Sequence, residues 1–515
     1  HVEGACVCSC GAIACRMRLT LAILAGLVLI AVLAVVAYLG WRMEENSRGA
    51  RAWQATLGQL REHGEPTDFA KLVPPRIPDA DNLAALPLFQ AERDSGSNRL
   101  EPLRLRTELK NIISGDVPYG GWMRGRITDT AKLDRFLADR FRKVFPDRPL
   151  PSSPLDQFDA LCPAVAELRQ AAASRPGCRF DQNYTTTTPQ YLRSLGSTTE
   201  LIILAKVINL HALTALHSQN TALALQDIEL DLQVDAGLRQ EPQLISGLVA
   251  AGVMAIQLDA IWEGIEAHAW NDVQLADLQR HLAGVDYLAD DQLCLRGEAL
   301  GLFAPRIDYI KVHQMNIRSL MASLDDTHDN VATLLGMLTP PGSYDMTKAE
   351  GVALDFEAAR DPINCAARRV YPERLDMLET KAKRASGSSM TGVLERVWAP
   401  PIIGALVNFS EAQYRVDAAR VACIIERYRL AHGALPATLD QLAPYADDGA
   451  GVPHDLCNGQ PLHYAARSDG TYLLYSVGWN QLDDGGQVIY KADEPKAVDP
   501  RRGDWVWPQP GYPGT

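Results

Sequence analysis

From Leu19 to Trp41 the chain runs for 23 residues, LTLAILAGLVLIAVLAVVAYLGW, without a charged side chain. A helix rises 1.5 Å per residue, so this stretch reaches roughly 34 Å, enough to cross a hydrocarbon core of about 30 Å with modest tilt. It predicts a single transmembrane helix, with membrane lipid as the partner of residues 19–41. A secretory signal peptide is the alternative, with Val35 and Ala37 as its small cleavage-site residues, but apolar signal regions run to about 7–15 residues. Both readings export the bulk of the chain. Arg16 and Arg18 precede the run while Arg42, Arg48 and Arg51 follow it, so the charge count alone does not favour a cytoplasmic N-terminus. A start at Met17, however, leaves only an α-amine and Arg18 ahead of the helix, and large downstream domains translocate largely regardless of charge. The expectation is a single-pass protein of the cell inner membrane with its bulk extracytoplasmic.

Ahead of the anchor stand Cys6, Cys8, Cys10 and Cys15. Structural zinc sites space their thiolates C-x2-4-C so that two reach one tetrahedral ion. C-x-C-x-C does not, and no second knuckle follows. Residues 1–18 are read instead as a tail from an over-extended reading frame.

The 474 residues after Trp41 are enough for two or three domains. With 47% hydrophobic and 22% charged residues the chain as a whole has an ordinary globular composition. A net charge of −13 argues against nucleic acid, whose phosphates call for basic patches. Six cysteines follow the anchor, Cys162, Cys178, Cys294, Cys365, Cys423 and Cys457, and their pairing is not fixed by sequence.

Residues 42–190 read as a stalk followed by mixed helix and loop. A helix continues from Glu44 to His63 and stops at Gly64 and Pro66; the proline-rich LVPPRIPDADNLAALPLF follows as an extended loop. Helices are expected over Thr130–Phe145, with Leu133, Phe136, Leu137, Phe141 and Val144 on one face, and over Ser153–Ala173. The polar run Tyr184–Pro189 marks a hinge before a helical domain at 191–330. There a helix carrying Leu201, Leu204, Ala205 and Ile208 is followed by Ala222–Arg239 and by a third helix after Pro242. The third is apolar nearly all round. Its uncharged run from Pro242 to Leu258 is at the lower limit for a span and contains Gln243, Ser246 and Gln257, so a helix buried in a bundle is expected. Asn271 is a good N-cap for the next helix. Antiparallel helices joined by short loops suggest an irregular bundle or a tetratricopeptide-like array of hairpins, although no clean 34-residue period is present. Pro340–Ser343 and Arg384–Ser389 read as linkers within 331–408, and a last long helix is expected over Glu411–Ala431.

Beyond Gly433 the period changes from helical to alternating, and two short strands flank Asp469–Gly470, a strong hairpin signal. The closing GDWVW sets Trp505 and Trp507 on one side of a strand as core packing. The ordered set ERYRLAHGALPATLDQL, VPHDLCNGQPLHY and GTYLLYSVGWNQLDDGG resembles the globular part of the major pseudopilin of type II secretion over roughly Ala412–Val488. Residues 409–507 are therefore read as a pseudopilin-like α+β module, with 508–515 as a tail. The resemblance implies calcium in the acidic loop, held by Asn480, Asp483 and Asp484. Loop carboxylates suit a cation that takes six to eight oxygens. Trp479–Asn480 replaces that family's Asp-Gly, and the membrane helix lies far from the module, so the chain is not a pilin subunit. As a whole it resembles uncharacterised membrane-anchored envelope proteins of planctomycete and verrucomicrobial type, a likeness that implies no activity.

No phosphate loop, G-x-S-x-G elbow or H-E-x-x-H occurs. His211 and His217 lie six apart on one helix, about 240° round it, and do not face each other. Asp227-Ile-Glu229-Leu-Asp231 starts like an EF-hand loop but has Leu232 and Leu238 where glycine and the bidentate glutamate belong, and reads as a polar helix surface. Glu263 and Glu266 lack the following histidine of a di-iron motif, since His268 comes one residue early. His454, Asp455 and His463 lie near the acidic loop. The fold expected is mainly α: a transmembrane helix, a helical ectodomain and a small C-terminal antiparallel sheet. The function expected is a non-enzymatic extracytoplasmic binding or scaffold protein of the bacterial envelope, with envelope or secretion proteins as partners. The alternatives are a periplasmic hydrolase with a site scattered in sequence, or an accessory subunit of a secretion or pilus-like assembly.

Overall fold

A computed structural model describes residues 6–89, 92–93, 100–101, 103–113, 117–118, 120–180, 196–313, 339–385, 390–447, 449–494 and 497–511. The expected hinge at Tyr184–Pro189 and much of the linker at Arg384–Ser389 lie outside these residues.

The fold is mainly helical. The first helix, α1 (Cys6–Glu62), is unbroken from the apolar run into the body. Its apolar window has no buried share inside the protein, whereas Leu60 is buried in a small cluster with Phe303, Val352 and Phe356. The segment after Trp41 is thus not a free stalk. It lies along α12 (Pro341–Arg360). Asn46 Oδ1 accepts the Gly342 N–H at 2.9 Å, and Thr56 Oγ1 donates to the Ala349 carbonyl at 3.4 Å. Ascending positions on α1 meet ascending positions on α12, so the two helices run parallel. They meet through paired glycines: a Cβ on Gly49 would strike the Gly342 carbonyl, and one on Gly342 would strike the Glu45 carbonyl. This corrects the linker reading of Pro340–Ser343. Pro341 begins a helix, where its missing N–H and fixed φ do no harm.

Between these helices in sequence come α2 (Leu103–Ile113), α3 (Thr130–Val144), α4 (Pro154–Leu161) and α5 (Pro163–Ala172). Asp129 caps α3 by accepting the Lys132 N–H, and Leu133, Leu137 and Phe141 form its buried stripe. The single helix expected over Ser153–Ala173 is two, broken at Cys162, because Pro163 cannot continue the ladder and starts a new one. Then follow α6 (Gly196–His217), α7 (Thr221–Arg239), α8 (Leu244–Glu266), α9 (Asp272–Ala283), α10 (Tyr287–Gly297) and α11 (Ala304–Val312). Helices α6, α7 and α8 pack on one another, and α8 also meets α10 and the long α14 (Met390–His432). The last helix begins at Met390, well before the expected Glu411. Asn271 and Gln274 form a full capping box on α9, and Gly433, at φ +72°, ends α14 in the left-handed conformation. Helix α13 (Pro372–Ala385) packs on α14.

Two short ribbons precede the C-terminal sheets: β1 (Glu92–Arg93) with β2 (Leu100–Glu101), and β3 (Ile363–Asn364) with β4 (Arg369–Val370). In the module, β5 (His463–Ala466) and β6 (Tyr472–Ser476) form the expected hairpin around Asp469–Gly470, and β9 (Trp505–Trp507) pairs antiparallel with β6. A separate ribbon joins β7 (Val488–Tyr490) and β8 (Val498–Gly503). Trp505 and Trp507 are buried as expected, and one apolar core runs from Leu83 to Trp507. The described cysteines after the anchor are all free thiols, five of them buried.

Candidate functional site

Of the acids that sequence placed on a helix surface, Asp227 and Asp231 are buried and Glu229 is half-buried. Asp227, Asp231 and Asp235 lie four apart on α7 and all face inward, each no more than 1% exposed. This corrects the reading of Asp227–Asp231 as solvated. Each of the three has a different fate.

Asp227 receives Arg169 Nη1 from α5 at 2.5 Å and lies 2.6 Å from His211 Nδ1 on α6. His211 Nε2 is 3.2 Å from Asp159 on α4, and Phe158 packs edge-on against the ring. Burial pulls the imidazole pKa down, but the bonds to Asp159 and Asp227 outweigh it and raise it to about 9. The His211 bond in turn holds the Asp159 carboxyl below its ordinary value. His211 is therefore an imidazolium clamped between two carboxylates. A general base needs a free ring nitrogen within reach of a substrate; here both nitrogens are engaged and the side chain has no exposure.

Asp235 receives Arg239 Nε at 2.8 Å and lies 3.3 Å from the Tyr287 hydroxyl, while Arg239 Nη1 reaches Asp290 at 3.3 Å. Burial pushes Asp235 up to about 6 and Asp290 to about 7, with Arg239 pulling both back. Among the described residues Asp231 has no hydrogen-bond partner on either oxygen, and the same is true of Asp291 on α10. Burial pushes both carboxyls well above the usual range, which favours their neutral form.

A third group of buried polar residues joins α8 to the loop before α3. Glu263 Oε1 accepts the Thr128 hydroxyl at 2.7 Å and its N–H at 3.1 Å, with His217 Nε2 at 3.6 Å from the other oxygen. Asp259 accepts the Trp122 N–H at 3.1 Å, and the Trp122 indole donates to the Ala255 carbonyl at 2.8 Å. Trp122 also stacks on Trp507 at 5.1 Å and lies beneath the Arg415 guanidinium at 5.3 Å. Helix α8, a long loop, α14 and the last strand meet there. His211 and His217 thus serve separate groups, as their angular separation requires, and Glu263 and Glu266 share no histidine.

The predicted calcium loop lies at the far end of the module. Asn480 donates to Asp484 at 3.0 Å, so those two side chains meet. Asp483 turns elsewhere, accepting the Tyr475 hydroxyl at 2.9 Å and the Gly485 N–H at 3.0 Å, with His463 at 3.6 Å. The Gly485 N–H is the largest factor holding Asp483 below its usual pKa. Asp504, buried and missed in sequence, accepts N–H groups of Asp484 and Gly486 and pins the loop from below. Asp455 is likewise structural: it receives the Val477 N–H at 2.9 Å and the Cys457 N–H at 2.8 Å. Among the described residues no group of three or more His, Cys, Asp or Glu side chains is placed to share an ion; of the three predicted ligands, Asn480 bonds to Asp484 and Asp483 to Tyr475.

No known protein family matches this chain, and neither curated proteins nor solved structures give a match. The missed residues carried one weak signal. Asp227, Asp231 and Asp235 repeat at helical spacing on the face that also carries Ile228 and Leu238, where solvated acids would interrupt the apolar stripe.

Proposed function

We propose that this chain is a membrane-anchored, non-enzymatic scaffold of the bacterial inner membrane that holds its helical body and C-terminal module on the extracytoplasmic side for envelope or secretion proteins to bind. The observation that carries this reading is α1. One helix is bare over a span-length apolar run and, a few turns later, is packed against α12 through Gly49, Gly342 and Asn46. A scaffold must hold its binding surfaces at a fixed place relative to the bilayer, and a continuous helix does this where a flexible linker does not. The buried charges support the same reading, since they tie α4, α5, α6, α7, α8 and α10 together instead of lining an opening. The test is fractionation of the full chain with alkaline carbonate, combined with alkaline phosphatase fused after Thr515. A carbonate-resistant, phosphatase-active fusion is expected. A protein that stays soluble, or a fusion silent outside the cytosol, rejects the proposal.

A further inference from the structure

Three aromatic and basic residues mark where α1 leaves the apolar run. Tyr38 and Trp41 are ring neighbours at 5.9 Å, and Arg42 donates to the Tyr38 hydroxyl at 3.3 Å. Such a belt sits at the level of the lipid headgroups, amphipathic rings and a snorkelling cation being stable there and nowhere deeper. Asn46, which binds the Gly342 N–H, is five residues beyond Trp41, about 7.5 Å along the helix axis. The headgroup layer of one leaflet is itself roughly 5–7 Å thick. Because α12 runs parallel to α1 from Gly342 upward, its first turn is the part of that helix nearest the membrane. Close backbone contact at Gly49 and Gly342 prevents it from swinging away.

We infer that the folded body is seated on the bilayer, with Pro341 to Ser343, the first turn of α12, at the outer edge of the phospholipid headgroup layer of the membrane that residues 19–41 cross. The partner is the lipid surface, and the contact continues the lipid interface of the anchor itself. Pro341 and Ser343 are half-buried by protein, so part of each side chain is open to that layer. The glycine contact then transmits the tilt of the anchor to the body, so the bilayer sets the orientation in which the C-terminal module is presented. The inference rests on the anchor reading proposed above.

The test places a photoreactive benzoylphenylalanine at one position at a time in the full chain, reconstituted in vesicles of phosphatidylethanolamine and phosphatidylglycerol. After illumination, phospholipid adducts are read by mass spectrometry. Met43, at the end of the anchor, is the positive control, and exposed Leu482 in the C-terminal loop is the negative one. Ser343 and Pro341 are the test positions, so that one remains informative if the other disturbs the helix start. Adducts at 341 or 343 about ten-fold above those at 482 are expected for side chains at the outer edge of the headgroup layer. Adducts at 43 with none at 341 and 343 overturn the seating while leaving the anchor intact. No adduct at 43 overturns the anchor reading and the seating with it.

Discussion

Leu19–Trp41 and Leu244–Glu266 are both helical, both long and both apolar enough to cross a membrane, yet the first has no buried share inside the protein and the second has 72% of its apolar window covered. The difference lies in their few polar residues. Between Leu19 and Trp41 the polar side chains are Thr20, near one end, and Tyr38, near the other, where water is close. On α8, Gln257 and Asp259 face inward within the helix and Glu263 in its last turn, and all three meet protein partners: the Ile228 carbonyl, the Trp122 N–H and Thr128. Lipid offers no such partners, so each would cost several kcal/mol in a bilayer core, by order of magnitude. Hydropathy alone does not separate the two helices; the placement of donors and acceptors does.

Inserting the same charge in each helix should break them in opposite ways. Met254→Arg puts an unpaired charge into the dry centre of the bundle at a cost of about 3–5 kcal/mol. The expected result is loss of the cooperative melting transition while the chain stays in the membrane fraction. Leu29→Arg costs insertion about 2.5–3.5 kcal/mol and should shift the chain toward the carbonate-soluble fraction while the body still melts cooperatively. If both variants behave alike, the two helices are not the different objects described here.

Smaller changes sharpen the α8 side of the comparison. Thr128→Val removes the hydroxyl that Glu263 accepts, and a detergent-solubilised melt should show a loss of about 1–3 kcal/mol. Asp231→Asn addresses the unpartnered acid. In the wild type this group is neutral in both states below its unfolded pKa of about 4. As pH rises the unfolded chain ionises while the fold still holds the proton, so stability falls until the raised folded pKa is passed. The variant lacks that slope, and its advantage over the wild type in chemical denaturation should grow from pH 4 toward neutrality. An advantage that does not change with pH would show that Asp231 is not held neutral. The smallest effect is expected in the acidic loop. With Asp483 bonded to Tyr475 and Asn480 to Asp484, melting curves of the full chain with calcium and with chelator should coincide. A rise with calcium would revive the ligand set that the loop sequence suggested.

Much of the architecture was legible because it depends on neighbours in the chain. The length of the apolar run, the N-cap at Asn271, the stop at Gly433 and the turn at Asp469–Gly470 are local, and each appears where the residues place it. Two local signals were misread: Pro163 and Pro341 both begin helices, as proline at a first helical position does. The inward aspartates were harder to see. An aspartate on an isolated helix belongs in water, and only Arg169, His211 and Tyr287, brought from other helices, together with Arg239 one turn along α7, make that face a place to bury Asp227 and Asp235.

By itself the sequence determined what each stretch becomes: a span-length helix, a set of amphipathic and apolar helices, and a short antiparallel sheet, because these follow from side-chain period and from caps a few residues away. Only the tertiary structure decided which apolar helix is enclosed by protein, that the helix beyond the apolar run is locked to α12 through two glycines, and that Asp227, Asp231 and Asp235 of α7 point inward. Those outcomes depend on hydrogen-bond partners and close approaches between residues distant in the chain, which a linear pattern does not contain.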